Sequence, residues 1–496
     1  MAQPPARDSI SRNASVVFGG QVVTWALTAL TLGLVPRYLG AYDVGVFNIG
    51  FTFATLATAV AGLGMGTLIT RDVARDREHT QALFGTAAML SIGLGAAGGG
   101  AAIGIAWALG YNGLVMFCIA VNCVVVPLGL FGVALNAGLQ GLEVMRWNSA
   151  LDILAKLALL LGVLICIALG GGIIELTLLP NVIALGGFGV QILVARRFFS
   201  FHVRQFSAEH ARYLLRATIP FFVVSIFWVL YTSVDILLLS WMSGAASVGI
   251  YSTPMRIFGT ALFIPVTITT VLFPRLSAVH QEDPARMARL ADRALRITLT
   301  ASLVMAIAAV GLSDGRVTAL LGHSFSSGIG PVIVALSISI VPTSVSIVAS
   351  RMAFAANRQA AMSWIGCGAF LAKTILGLAL IPLFDSLYGN PALGAAVGLV
   401  LTELGMTGAM LGFLPRSTFN AEARDFYAKI GVTALAAGIV LAGGYGVATP
   451  LGASALAVGL FVALVVALGV YTPMQAIAAA RLVVETRGKA SPAAAP

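Results

Sequence analysis

Two lysines sit where an ammonium group is costly to keep. Lys156 and Lys373 each lie well inside a long apolar stretch, 217 residues apart. Their surroundings align without a gap: Trp147 to Lys156 reads WNSALDILAK, and Trp364 to Lys373 reads WIGCGAFLAK. An ionisable group at mid-membrane costs about 2.5 kcal/mol or more unless it meets a partner, a ligand or a wet cavity. A cation repeated in both halves therefore points to a central site for something anionic. Arg256, about 12 Å into its own apolar stretch by helical rise, extends that set. Its guanidinium can grip a phosphate with two parallel hydrogen bonds.

Each cation has a second account. Asp152 precedes Lys156 by four residues, on the same helix face, so a local ion pair explains both groups as well as a cavity does. Lys373 has no such neighbour: positions 369, 370, 376 and 377 are Ala, Phe, Leu and Gly. Its partner must come from another helix, from water or from a ligand, and a cavity-facing role is expected. Arg256 could instead pair with Asp235 on the preceding span. Asp235, Glu403 and Asp152 are the acids that could carry a coupling proton or sodium ion; for Asp235 and Glu403 an interhelical hydrogen bond serves equally well. Arg37, where the first span ends, suits either an anionic ligand or snorkelling to lipid headgroups. Gln21 and Trp25, with Thr31, Asn48, Tyr231 and Thr232, could line a sugar-binding wall, although such residues also bond across helices.

Membrane helices must position these groups. Of 496 residues, 59% are hydrophobic and 10% charged, too few charges for the shell of a soluble protein this long. About 20 apolar residues span a bilayer. Fourteen such stretches are expected, at 14–35, 46–69, 82–108, 114–137, 148–169, 173–195, 217–241, 248–273, 297–313, 331–350, 362–383, 391–413, 427–448 and 453–480. Residues Met1 to Asn13 are polar and the first apolar stretch continues as a span, so no cleavable signal peptide is expected. Cys118, Cys123, Cys166 and Cys367 fall inside spans, which argues against a disulfide framework, and neither a metal nor a cofactor is expected.

The net charge of +10 invites a nucleic-acid reading, which its placement excludes. With the N-terminus in the cytoplasm, every Lys and Arg outside the spans falls on the cytoplasmic side except Arg37 and Arg316. That asymmetry is the positive-inside rule; it sets both termini in the cytoplasm. The basic loops suit anionic membrane lipids, and no aromatic residues interleave with them as a nucleic-acid surface needs.

The second half repeats the first. Gly40, Val44 and Gly45 match Gly244, Val248 and Gly249 at an offset of 204, with Phe47 against Tyr251 and Arg71 against Arg275. Pro127 and Pro342 fall mid-span in spans four and ten. Six spans per repeat is an even number, so the two repeats are parallel, about an axis normal to the membrane. The expected fold is an all-α polytopic membrane protein of about 14 helices: an N-lobe over 1–216, a C-lobe over 217–414, and an appended helix pair with a tail over 415–496.

RYLGAYDVGVFNIG after span one, the basic turn beginning at Arg71, ALNAGLQGLEVMRWN between spans four and five, and GNPALGAAVGLVLTE at span twelve complete the pattern. On these stretches and the fourteen-span plan the chain resembles the polysaccharide or oligosaccharide flippases of the multidrug/oligosaccharidyl-lipid/polysaccharide exporter superfamily. The resemblance implies two lobes around a V-shaped, alternating-access cavity in a bacterial inner membrane. It implies a polyprenyl-diphosphate-linked oligosaccharide as substrate, moved from the inner to the outer leaflet. It also implies membrane lipids, polysaccharide polymerase and export machinery, and a coupling proton or sodium ion as partners. Arg256 falls in the helix where that family keeps a cavity arginine. Spans one and two carry no mid-span arginine, which favours the exopolysaccharide, O-antigen or capsule branch over flippases of peptidoglycan precursors. Two rivals stand beside this reading. A multidrug or cation antiporter shares the fold, although three buried cations argue against a cationic cargo. A membrane glycosyltransferase or polymerase would need a larger outer loop than Ser313 to Gly330.

Overall fold

The structure, a computed structural model, describes residues 7–75, 80–142, 145–196, 207–263, 265–269, 284–325, 328–356, 358–414, 418, 421–444 and 449–471. Lipid offers no hydrogen bonds, so an apolar segment crossing it must satisfy its amides internally, and the helix does so locally. The described elements are α1 (Arg7–Gly62), α2 (Met65–Arg75), α3 (Thr80–Ala108), α4 (Gly113–Val124), α5 (Val126–Gly141), α6 (Met145–Ala168), α7 (Ile173–Ala195) and α8 (Ala208–Met242). They continue as α9 (Gly244–Ala261), α10 (Pro284–Val310), α11 (Gly315–Ala319), α12 (Ile329–Ala355), α13 (Gln359–Tyr388), α14 (Pro391–Leu411), α15 (Ala421–Gly444) and α16 (Pro450–Ala467). The chain is an all-α, multi-pass membrane protein.

Among the described residues, 12 helical stretches are long and apolar enough to cross a membrane. The first and eighth expected spans are not among them. The first lies within α1, most of whose side chains up to residue 26 are outside the described residues. The eighth begins as α9 and is interrupted at Leu262; residues 263 and 265–269 are helical again, and 270–273 lie outside the described residues. Span two was expected to reach residue 69; it stops at Gly62, where Leu63 and Gly64 take positive φ (50° and 72°) and the chain restarts as α2. Arg71 therefore rides on a helix and not on a turn. The paired prolines also diverge. Pro127 opens α5 after a break at Val125, whereas Pro342 lies inside an unbroken α12.

Helices α1 to α7 pack on one another, as do α8 to α14, and α15 with α16 packs on α10. The most extensive pairing joins the two groups, through α1 and α9. At its start the chain turns on Gly40 and again on Gly244, both at φ 80°, a conformation that disfavours any side chain. From there the repeat is visible as contact. A Cβ on Gly45 would fall 1.7 Å from the carbonyl oxygen of Ala245, and a Cβ on Gly249 1.8 Å from that of Ala41. Gly45 and Gly249 are equivalent at the offset of 204, as are Ala41 and Ala245, so the same surface meets itself across the seam. Only glycine permits this crossing, which follows the small-residue logic of membrane helix packing.

Candidate functional site

Polar groups continue the seam one turn further on. Asn48 of α1 is buried (6% exposed) and its Nδ2 donates to Ser252 Oγ of α9 at 3.0 Å. Nη2 of Arg256, one turn beyond Ser252, donates to Asn48 Oδ1 at 2.7 Å. Residues 41, 45 and 48 on α1 thus face 245, 249, 252 and 256 on α9, the i, i+4, i+7 stripe of one helix face. Arg256 is half-buried, and it reaches from the second half of the chain to the first.

A second polar site is enclosed within the second half. Lys373 of α13, 1% exposed, forms an ion pair with Asp235 Oδ2 of α8 at 2.7 Å. It also donates to the backbone oxygen of Tyr231 at 2.9 Å, and its ammonium lies 4.5 Å from the centre of the Tyr231 ring. Tyr251 of α9 donates to the same Asp235 oxygen. Tyr231 Oη donates to Glu403 Oε1 of α14 at 2.5 Å. Desolvation costs several kcal/mol per buried ion and is offset only when the remaining bonding capacity is filled. Lys373 meets that condition. Glu403 is held more loosely: besides Tyr231 its carboxylate has only the buried hydroxyl of Thr343 on α12, a contact at the edge of hydrogen-bonding geometry.

The structure brings Lys373, Asp235 and, through Tyr231, Glu403 into one network, as the sequence required when it denied Lys373 a partner on its own helix. It does not bring Lys373, Arg256 and Lys156 to one shared cavity. Arg256 takes Asn48 rather than Asp235. Tyr251 and Arg256 are five residues apart, about 140° around the helix, so the face that meets α8 is not the face that meets α1. Lys156 is half-buried on α6 and Asp152 is exposed, and no ion pair joins them. Lys156 shares its stripe with buried Leu160 and Val163. Arg37 is exposed. The side chains of Gln21 and Trp25 lie outside the described residues. Of the other sugar-wall residues, Thr31 bonds its own helix at Leu27 and Thr232 bonds Val229.

Sequence reasoning missed the connecting roles of Tyr251 and Ser252. The signal was available: where the first half has Phe47, the second has Tyr251, and a hydroxyl added at a buried position needs a partner.

The model of the family described as "Polysaccharide biosynthesis protein" matches residues 10–280. No curated protein matches the chain in sequence. Among solved structures it is similar to the lipid II flippase MurJ in an inward closed conformation, with a TM-score of 0.72 at 14% identity, over 91% of this chain and 99% of that one. It is also similar to a multidrug resistance MATE family transporter of the MOP superfamily in its inward-facing conformation, with a TM-score of 0.64 at 17% identity, over 78% and 92%. An outward-facing MATE family transporter gives 0.56 at 18% identity, over 82% and 93%. At these identities the likeness establishes a shared fold.

Proposed function

The chain belongs to the polysaccharide biosynthesis protein family, and from that premise we propose that it is a flippase for a polyprenyl-diphosphate-linked oligosaccharide. Two lobes, over 1–216 and 217–414, rock about the pseudo-two-fold axis between α1 and α9 in a bacterial inner membrane. Both termini face the cytoplasm, so the Gly40 and Gly244 turns face outward. The observation that carries the reading is the closed α1–α9 seam, with Arg256 bound across it to Asn48. This is the state closed to the outside, and the greater likeness to the inward-facing exporter than to the outward-facing one agrees with it. Parting the seam would release the Arg256 guanidinium from its neutral partner to a diphosphate, a stronger, charge-assisted acceptor. Closing it would restore Asn48 and expel the anion.

Lys373 has a different part in this scheme from the shared vestibule expected of it. Sealed against Asp235, it sets the charge of a cluster in which Glu403 and Asp235 are the sites for a coupling proton or sodium ion. That same cluster favours the second reading, a cation antiporter, because two buried acids, Asp235 and Glu403, share one lysine.

Reconstitution separates the two. Proteoliposomes with the purified chain should move a fluorescent polyprenyl-diphosphate oligosaccharide to the opposite leaflet, and Arg256→Gln should slow this by about tenfold or more, the loss of one charge-assisted contact. Absence of lipid transfer by the wild-type chain, alongside extrusion of a cationic dye driven by a proton or sodium gradient, would replace the flippase with the antiporter.

A further inference from the structure

At the far end of the molecule from Gly40, the first turns of α8 form an open cleft of about 440 Å³, lined by Glu209, Arg212, Tyr213, Arg216 and Ala217. The cleft lies where the start of α8 meets the first half of the chain, because α8 packs against α2 and α3. Tyr213 anchors it: its Oη donates to Asp72 Oδ2 at 3.0 Å and accepts from Arg71 Nη2 at 3.5 Å. Arg71 is itself neutralised by Asp72 at 2.9 Å. Arg212 and Arg216 are not. They are exposed, four residues apart on one helix face, and neither pairs with an acid among the described residues. Against the single carboxylate of Glu209, the cleft carries a net positive charge.

Its depth matters as much as its charge. Arg216 immediately precedes the apolar run ATIPFFVVSIFWVLY that begins at Ala217. The two guanidiniums therefore stand at the level of lipid headgroups, with hydrocarbon starting one residue further on. A freely soluble anion would have no use for that placement. A ligand with phosphates in the cleft and a tail in the bilayer would.

We propose that this cleft is a capture site for the diphosphate of a polyprenyl-linked lipid in the cytoplasmic leaflet, engaged before the substrate enters between the lobes. The inference rests on the flippase reading and adds a second site to it, at the opposite end of the molecule from Arg256. Two guanidiniums four residues apart can each take phosphate oxygens in the two-bond geometry, and the Tyr213–Asp72 bond would hold their helix against α2 while the substrate is bound.

The test is binding by the full chain in nanodiscs of neutral lipid. A dye-labelled polyprenyl diphosphate is the probe; inorganic pyrophosphate and phosphatidylglycerol are the competitors. The double variant Arg212→Gln with Arg216→Gln should bind the probe about tenfold more weakly, the equivalent of 1.4 kcal/mol. Arg212→Lys with Arg216→Lys, which keeps charge but not the planar fork, should fall between the two. Pyrophosphate and phosphatidylglycerol should displace the probe only at much higher concentration than unlabelled polyprenyl diphosphate. The inference is overturned if the glutamine pair binds like wild type, if phosphatidylglycerol competes on equal terms, or if the wild-type chain binds no probe. Arg316→Gln, a cation outside both proposed sites, should leave this binding intact. Loss of lipid transfer with arginine-dependent capture preserved would therefore sink the transport reading and leave the cleft standing, and normal transfer with capture unaffected by the glutamine pair would do the reverse.

Discussion

In the first half of the chain, Asn181 of α7 donates to Asn122 of α4 at 3.3 Å, and Gln191 of α7 to Asn136 of α5 at 2.7 Å. In the second half the interior is crossed by Lys373, Asp235 and Glu403 with two tyrosines between them. The two halves share a repeat yet bind their buried helices by different chemistry, neutral amides in one and ions in the other. At the position equivalent to Asp235 the first half has Thr31, and at that of Tyr251 it has Phe47. Lys156, the counterpart of Lys373, is half-buried and pairs with no acid among the described residues. An amide ladder is indifferent to protons and cations. An ionic one is not, so under the proposed function a coupling ion would act on the second half rather than the first.

The comparison breaks most visibly at Asp235. Asp235→Leu leaves a buried ammonium without its carboxylate and should lower stability by about 3 to 5 kcal/mol, read as thermal unfolding of the purified chain. Adding Lys373→Met to it should recover most of that loss, since apolar groups replace a buried pair at little cost. Asp152→Asn or Lys156→Gln in the first half should shift stability by less than about 0.5 kcal/mol. Equal losses in the two halves would erase the distinction.

The seam, which both halves share, should respond symmetrically. Gly45→Ala and Gly249→Ala each drive a methyl into a facing carbonyl, an overpacking worth about 1 to 3 kcal/mol, and both should favour the parted seam. Gly259→Ala, on the same helix as Gly249 but with nothing within 4 Å of its Cβ, should be harmless. Labelling of a cysteine introduced at Asn48 by an externally added, membrane-impermeant reagent would report the parting, with faster labelling in the two seam variants and not in the control.

The smallest effect concerns the turns at the Gly40 end. The short turn before α4 has Asn112 at its helix cap with no side-chain bond. Its counterpart in the second half carries Asp314, whose carboxylate accepts from the backbone of Arg316 at 2.9 Å and of Leu451, at the start of α16, at 3.3 Å. Those bonds, the Arg316 amide foremost, hold the Asp314 carboxyl below the usual aspartate range. A depressed carboxylate contributes stability that is full above its unfolded value, near pH 3.9, and is lost as pH falls through the lower folded value. Asp314→Asn should therefore flatten the acid limb of a stability-versus-pH curve below about pH 4, with no such change for Asn112→Ala.

Much of this was legible in the residues themselves. The period and length of the apolar runs gave the helices, and the offset of 204 located a seam that the glycines then made close. Lys373 announced a partner on another helix because its own offered none. The identity of that partner was hidden, since Asp235 could face α9, α13 or the seam with equal propriety in one dimension. Only the rotation of α9 decides that Tyr251 takes Asp235 and Arg256 takes Asn48. Lys156 misled for the same reason: a similar local sequence says nothing about which neighbour covers it, and among the described residues no acid pairs with it. The break at Gly62–Gly64 was unreadable from hydropathy because the apolar run continues through it.

Alternation at the α1–α9 crossing is the claim from which the flippase reading follows, and a reversible lock tests it. With Cys118, Cys123, Cys166 and Cys367 replaced by alanine, Asn48→Cys and Ser252→Cys place two thiols where two side chains already bond at 3.0 Å. Oxidation should halt transfer of the lipid-linked oligosaccharide in proteoliposomes and reduction of the same sample should restore it. Transfer at an undiminished rate through a fully cross-linked seam would contradict the account.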